Sequence, residues 1–369
     1  MPDPLITVLM AAYNGGDYLK FSVESVLRQT YQDFEFLIID DFGSDDSLRC
    51  VESLKDSRIR IHRNAVNLGQ TRSLNIGLKL ALGEYVARID ADDLAFPTWL
   101  ETQFSFIKKN PRYAAVSARA VVIDSSNRIK KILNSPLNFE DVIFRSLTAS
   151  PVNHVGVMMR KDLILNETGG YDERLKIAAD YEMWSTLLRK GHRIISTPSV
   201  SMAIRVHRNS LSRTENKTEL AEVSQIIYKN IQSFTTFPIT PSQSKLIADF
   251  FYASSRQSFE DFQSAQTLLE NAYKNFKLDF LSSPKPARFY RRKTADLIGR
   301  IYAKKILENS KITPEEMRKI SVEYTRRYGF LNIFALLFVF SFLGNSVVKN
   351  IPSWYEQIRV MWTKSRLTN

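Results

Sequence analysis

The sequence is poor in the residues that build cross-links and metal cages. Cys50 is its one cysteine, which excludes a disulfide framework and any cysteine-rich zinc site. The four histidines, His62, His154, His192 and His207, are scattered, so no histidine metal cluster is expected. So few thiols fit a reducing, cytosol-facing compartment. No GxGxxG follows the first apolar run, so a dinucleotide fingerprint is absent. Internal repeats and low-complexity stretches are absent too. No basic residue precedes the run Leu5–Met10, and that run is too short for a signal-peptide core. It reads as a buried strand.

What is present is an ordinary globular composition, 44% hydrophobic and 24% charged, which excludes collagen-like and wholly disordered chains. A length of 369 residues is long for one domain and points to two structural units. The net charge of +12 is unevenly placed. Residues 281–369 hold 17 Lys plus Arg against 6 Asp plus Glu, whereas residues 1–280 hold 34 against 33. A basic C-terminal quarter suits an anionic membrane surface, with nucleic acid as the other candidate partner. Nucleic acid is disfavoured, with Phe289-Tyr290-Arg291-Arg292 taken as no more than a hint of an aromatic platform among the basic residues.

An apolar run, Phe330–Leu343, lies in that quarter between Arg326, Arg327 and Lys349. As a helix it spans roughly 21 Å, short of the roughly 30 Å hydrocarbon core. Extended to Val348 it could just cross, but Asn332, Ser341, Asn345 and Ser346 weaken a span. The expectation is an interfacial or re-entrant helix. A marginal single span, or a helix packed in a soluble core or dimer interface, are the alternatives.

The first hundred residues alternate strand and helix patterns. Strands are expected at Leu5–Ala11, Phe34–Ile39, Arg58–His62 and Glu84–Ile89, and helices at Asp17–Gln29, Ser47–Leu54 and Thr71–Leu82. Phe34–Ile39 is nearly all apolar, as in a parallel strand covered on both faces. This is an α/β doubly wound pattern, whose ligands bind at the carboxyl ends of the strands. Residues 150–212 mix short strands and turns with one clear helix, Asp180–Lys190, stopped by Gly191. From about residue 216 the spacing becomes helical throughout. The expected units are therefore residues 1–215, α/β, and residues 216–369, all-helical, with a membrane-associating segment near 330–348.

The strongest chemical signal is Asp90-Ala91-Asp92-Asp93 directly after the strand Glu84–Ile89. Carboxylates crowded at a strand end repel one another, and a hard divalent cation such as magnesium or manganese relieves that repulsion. Asp40 and Asp41 end another apolar strand. A carboxylate there can accept from a base N–H or a ribose hydroxyl, or cap the helix near Ser47. Ala11, Ala12 and Tyr13 end the first strand, where small residues admit a flat base and Tyr13 offers a stacking face; a plain turn is the alternative. Arg72 follows Gly69 at a helix start, where an anion can sit, though a solvated arginine would look the same. Asp180 is either a helix cap or a base with Trp184 one turn on. Arg205 and His207 lie on a late strand, as structural residues or as donors to a leaving phosphate.

Taken together and in this order, Ile6–Asn14, Leu27–Ser47, Asn67–Gly83, Tyr85–Pro97, His154–Arg160 and Gly170–Gly191 resemble the inverting glycosyltransferases of family 2, over roughly residues 4–212. The resemblance implies a GT-A fold, Rossmann-like with a mostly parallel sheet and flanking helices. It also implies site roles. Asp40 would bind the base with Ala11 and Tyr13 around it, Arg72 would lie by the nucleotide, and Asp90 would lie near ribose and metal. Asp92 would ligate manganese or magnesium, and Asp180 would deprotonate the acceptor hydroxyl. The partners implied are a nucleotide-sugar donor, a UDP-sugar first, and a glycan or lipid-linked acceptor, at the cytoplasmic side of a membrane, in cell-surface polysaccharide biosynthesis.

Two positions depart from the family pattern. Ala179 stands where a Glu commonly precedes the base, and Phe42 stands in place of a usual Gly. The glutamine-rich motif of processive synthases is missing, which argues for single-sugar transfer. A sugar nucleotidyltransferase would need a Gly-, Arg- and Lys-containing phosphate loop that Ala11–Gly16 does not supply. A membrane-associated, non-catalytic nucleotide-binding protein is the other alternative.

Overall fold

A computed structural model describes residues 5–133, 135–207, 217–252 and 259–277. The basic stretch 281–369 and its apolar segment 330–348 lie outside the described residues. The chain forms two compact units, Met1–Ser233 and Phe234–Asn369.

The first unit is built on a nine-stranded sheet of order β3-β2-β1-β4-β8-β6-β9-β5, with β7 paired to β6. Its first half is parallel: β1 (Ile6–Ala12), β2 (Phe34–Asp40), β3 (Ile59–Arg63) and β4 (Tyr85–Arg88). Every residue of β2 is buried, as a strand covered on both faces requires. Ile6, Val8 and Met10 pack with Leu19, Val23, Val26, Leu48, Val51, Trp99 and Leu100. These come from α1 (Gly16–Leu27), α2 (Ser47–Glu52) and α4 (Trp99–Lys109). On the opposite face lies α3 (Gln70–Leu80), where Gly77 lets the helix close onto Leu9.

The second half of the sheet is mixed. It comprises β5 (Leu94–Ala95), the long β6 (Tyr113–Ile123), β7 (Ile129–Ile132), the three-residue β8 (Met158–Arg160) and the long β9 (Arg193–Arg205). β4 pairs antiparallel with β8, β8 antiparallel with β6, and β6 parallel with β9. The helices α5 (Phe139–Ser146), α6 (Lys161–Thr168) and α7 (Ala179–Arg189) occur in the connections. The sheet with its flanking helices is the expected GT-A architecture, and the residues 150–212 carry a second helix, α6, beside α7.

α8 (Lys217–Phe234) belongs, but for its last residue, to the first unit. Glu222 is its anchor: the carboxylate accepts from the backbone N–H groups of Lys176, Ile177 and Ala178 at 2.8–3.0 Å. Asn230 donates to the Ser146 carbonyl and to Ser185. These bonds fix the turn that leads into α7. In the second unit the described helices are α9 (Pro241–Tyr252) and α10 (Phe259–Lys274), and the segments at Thr235 and Phe276 form a bridge. No helix among the described residues is long and apolar enough to cross a membrane.

At the amino ends of the parallel strands a buried carboxylate ties four segments together. Glu35 accepts from Thr7 Oγ1 at 2.5 Å and from the Leu82 N–H at 2.6 Å, and pairs with Arg60 at 2.8 Å. The Gly83 N–H donates to Thr7 Oγ1 at 2.8 Å, and a side chain at Gly83 would fall on the Ile6–Thr7 backbone. Gly83→Ala should therefore cost about 2–3 kcal/mol in urea unfolding. An unchanged midpoint would contradict that close approach.

Candidate active site

The site residues lie at the carboxyl ends of the parallel strands, because the loops there are pinned by buried polar groups. The Asp41 N–H donates to the Ala12 carbonyl at 2.8 Å, which holds the ends of β1 and β2 side by side. The Asp41 carboxylate, 3% exposed, accepts from Asn64 Nδ2 and from the N–H groups of Leu68 and Gly69, each at 2.8 Å. It is fully occupied as a clamp on the loop that leads into α3. Sequence offered Asp41 only as the partner of Asp40; its structural task depends on Asn64 and Gly69, too distant to be read from spacing.

Asp40 ends β2 and is 6% exposed. Its Oδ1 accepts from the Gly43 N–H at 2.9 Å, and its Oδ2 lies 3.6 Å from Arg63 Nε. Ala11 is half-buried in register with Ile39, and Tyr13 stands exposed just beyond it. β1 alone separates β2 from β4, so Asp40 lies about 10 Å from the acidic cluster across two strand spacings.

That cluster follows β4. Ligand oxygens of Asp90, Asp92 and Asp93 all lie within 4.8 Å of one another. Three features hold them together against repulsion. The guanidinium of Arg88, itself buried, contacts Asp90 Oδ1. The backbone N–H of Arg205 donates to Asp93 Oδ1 at 2.7 Å, while its Nε donates to the Asp92 carbonyl at 2.9 Å. His207 Nε2 lies 2.9 Å from Asp92 Oδ2. Compensation is still incomplete. Burial raises the Asp90 carboxyl pKa, Arg88 offsets it in part and the Asp92 charge adds to it. Burial and then the charges of Asp90 and Asp92 push Asp93 well up. An all-oxygen set of crowded, under-neutralised carboxylates fits a hard divalent cation. Asp92, the most exposed of the three side chains, is the one best placed to be shared with a ligand.

Arg88 was not foreseen, and it connects this cluster to the rest of the site. Its backbone is pinned between β4 and β8, the N–H donating to the Val157 carbonyl and the carbonyl accepting from the Gly156 N–H, both at 2.8 Å. Gly156 adopts a φ of 75° and is further held by Trp99 Nε1 and Gln103 Nε2 on its carbonyl. A lone Arg in an apolar strand gives no periodic signal, so sequence reasoning had no handle on it.

Asp180 lies in the first turn of α7 and its Oδ2 accepts from Ser150 Oγ at 3.2 Å. Burial raises its pKa, and its own backbone environment, the Arg88 charge and Ser150 pull the other way. Burial raises the Tyr171 hydroxyl pKa, the Arg88 charge opposes it, and the charges of Asp180 and Asp90 add to it. Arg72 pairs through Nε with Glu173 at 3.3 Å, and Gln70, one half-turn earlier, donates to Asp90 Oδ1 at 3.0 Å. The start of α3 therefore reaches both the acidic cluster and the turn before α7. Arg205, read from sequence as a possible phosphate donor, is buried under the cluster, with its guanidinium on Asn127 at 2.6 Å and over the Tyr18 ring at 4.5 Å.

His154 packs between Tyr171 and Trp184, with ring centroids 5.4 and 5.9 Å away. Burial, and then the Arg88 charge, push its pKa well below the usual imidazole range. The folded chain thus keeps His154 neutral while the unfolded chain protonates it below about pH 6.5. Below that pH unfolding takes up a proton, so this group's share of stability is lost as pH falls from about 6.5. His154→Gln should flatten the dependence of melting temperature on pH between about 6.5 and 5. An unchanged slope would show that His154 is protonated in the fold.

Comparison with known proteins shows the family and the fold. Residues 7–167 match the family model described as Glycosyl transferase family 2. An uncharacterized glycosyltransferase of Haemophilus influenzae is 31% identical over 238 residues, covering 62% of this chain and 73% of that protein. The Escherichia coli protein WfaP, a UDP-Glc:alpha-D-GlcNAc-diphosphoundecaprenol beta-1,3-glucosyltransferase, is 29% identical over 231 residues, covering 60% of this chain and 85% of WfaP. Among solved structures, S. aureus TarS 1–349 in complex with UDP-GlcNAc aligns with a TM-score of 0.53 at 18% identity, over 89% of this chain and 93% of that one. At that identity the likeness is one of fold.

Proposed function

The chain belongs to glycosyltransferase family 2, and from that premise we propose that it moves a single sugar from a nucleotide-sugar donor to a hydroxyl of a glycan or lipid-linked acceptor, with inversion. The observation that carries this is the triplet Asp90, Asp92 and Asp93 gathered at the end of β4. A UDP-sugar is the donor we favour, in line with the nucleotide named for WfaP and for the TarS complex. Relatives named for amylovoran and teichuronic acid biosynthesis support a role in polysaccharide assembly.

In this reading Asp40, Ala11 and Tyr13 receive the base and Arg72 lies by the nucleotide. Asp92, with Asp90, holds manganese or magnesium, which when bound supplies positive charge to the departing diphosphate. Asp180 takes the acceptor proton as the hydroxyl attacks the anomeric carbon from the face opposite the leaving group. A carboxyl raised by burial is a better base than a solvated one. It must be ionised to act, so activity falls as pH drops through its pKa. One displacement needs no covalent nucleophile, and positioning both substrates supplies much of the rate.

Residues 1–215 would carry the catalysis. The remainder of the chain, with its 17 basic and 6 acidic residues beyond 280, would attach the enzyme to the cytoplasmic face of an anionic membrane.

A panel of UDP-, dTDP- and GDP-sugars with manganese should show donor-dependent release of nucleoside diphosphate that a chelator abolishes. Release of pyrophosphate instead would indicate nucleotidyl transfer, and no turnover with any donor would favour a non-catalytic binding protein. Asp180→Asn should lower transfer about 10³-fold while nucleotide binding is kept. Full activity in that variant would remove Asp180 from the role.

A further inference from the structure

Phe42 combines two features that are unfavourable by themselves. Its φ is 62°, in the left-handed region, where a Cβ is disfavoured and glycine is the ordinary occupant. Its ring is 57% exposed. The strain is held in place by the surrounding bonds. Asp41, one residue earlier, is clamped to Asn64, Leu68 and Gly69, and the Gly43 N–H, one residue later, turns back onto Asp40 Oδ1 at 2.9 Å. Phe42 is thus the tip of a tight turn that begins at Asp40.

The neighbouring loop carries a second exposed aromatic, Tyr13, at 54%. The two loops are braced against each other. Asn14 Oδ1 accepts from the N–H groups of Ser44 and Asp45 at 2.8 and 3.3 Å, and the Gly16 N–H donates to Asp45 Oδ2 at 2.9 Å. Two exposed aromatic residues therefore follow directly on the pair joined by the Ala12–Asp41 hydrogen bond, each on a braced loop.

We propose that Phe42 supplies a stacking face for the base of the donor nucleotide, making it a further donor-binding residue that sets affinity. This rests on the reading of Asp40 as the base-binding carboxylate. A strained backbone that leaves an apolar ring exposed in the turn closed by that carboxylate is accounted for if a flat, weakly hydrated ligand covers it. Stacking is tolerant of which base it meets, so Phe42 would strengthen binding of uracil and guanine nucleotides alike and leave the choice between them to Asp40.

The test is calorimetric titration of the full chain with UDP and with GDP, each with manganese, alongside melting without nucleotide. Phe42→Asn keeps a residue that tolerates positive φ and removes the ring. It should weaken binding about tenfold while the melting temperature stays level or rises. Phe42→Tyr, which keeps the ring, should bind as the parent chain does. Asn-variant affinity equal to the parent would overturn the stacking role and leave the transferase reading intact. A loss of affinity matched by a lower melting temperature would make Phe42 structural and also overturn it. A parent chain that binds neither nucleotide would remove the donor reading, and this proposal with it.

Discussion

Negative charge concentrated at the end of one strand is the constraint around which this unit is arranged. Asp90, Asp92 and Asp93 lie close enough for their oxygens to fall within 4.8 Å, and like charges at such a distance disfavour their common ionisation. The fold answers with cations and donors drawn from the same strand and from far along the chain. Arg88 comes from the strand itself, Arg205 from the end of β9, and His207 from just beyond it. Each is in turn held by something else, Arg88 by the β4–β8 junction and Arg205 by Asn127 and Tyr18. The mixed half of the sheet therefore serves the parallel half: β9 runs its length to deliver Arg205 beneath the acidic turn.

The polar interior follows one logic at both ends of the parallel strands. Buried carboxylates are kept where backbone N–H groups would otherwise lack partners. Glu35 collects Leu82 and Thr7, Asp41 collects Leu68 and Gly69, and Glu222 collects three successive N–H groups before α7. Such groups are costly to leave unpaired. Satisfying them with side chains fixes loop shape without adding secondary structure. Asp90 and Asp93 face other carboxylates as well, and burial together with the Asp92 charge raises both of their pKa values, which marks them as incompletely served by the protein alone.

The parallel strands and their helices were legible in the sequence because their apolar residues repeat with strand or helix period over short, well-punctuated segments. The boundaries of β1, β2, α3 and α7 fall within a residue or two of those expected. β6 was not legible, and β9 was legible only at its end, where Arg205 was expected on a late strand. Their pairing joins Tyr113–Ile123 to Arg193–Arg205, a long-range parallel match with no local marker, and β8 is only three residues long. Within the site, the acidic triplet was visible because its members are adjacent in sequence. Arg88, the Asp41 clamp and the packing of His154 between Tyr171 and Trp184 were not, since each depends on partners from remote segments. Phe42 was visible as a departure from the family pattern, and its backbone conformation gives that departure a physical meaning.

The central claim is that the triplet is built to share a divalent cation with a nucleoside diphosphate. Calorimetric titration of manganese into the full chain, with and without UDP present, tests it most directly. The account expects manganese and UDP each to tighten the binding of the other, and Asp92→Asn to abolish that coupling while the chain stays folded. Equal affinities with and without the partner ligand, or coupling that survives in Asp92→Asn, would contradict it.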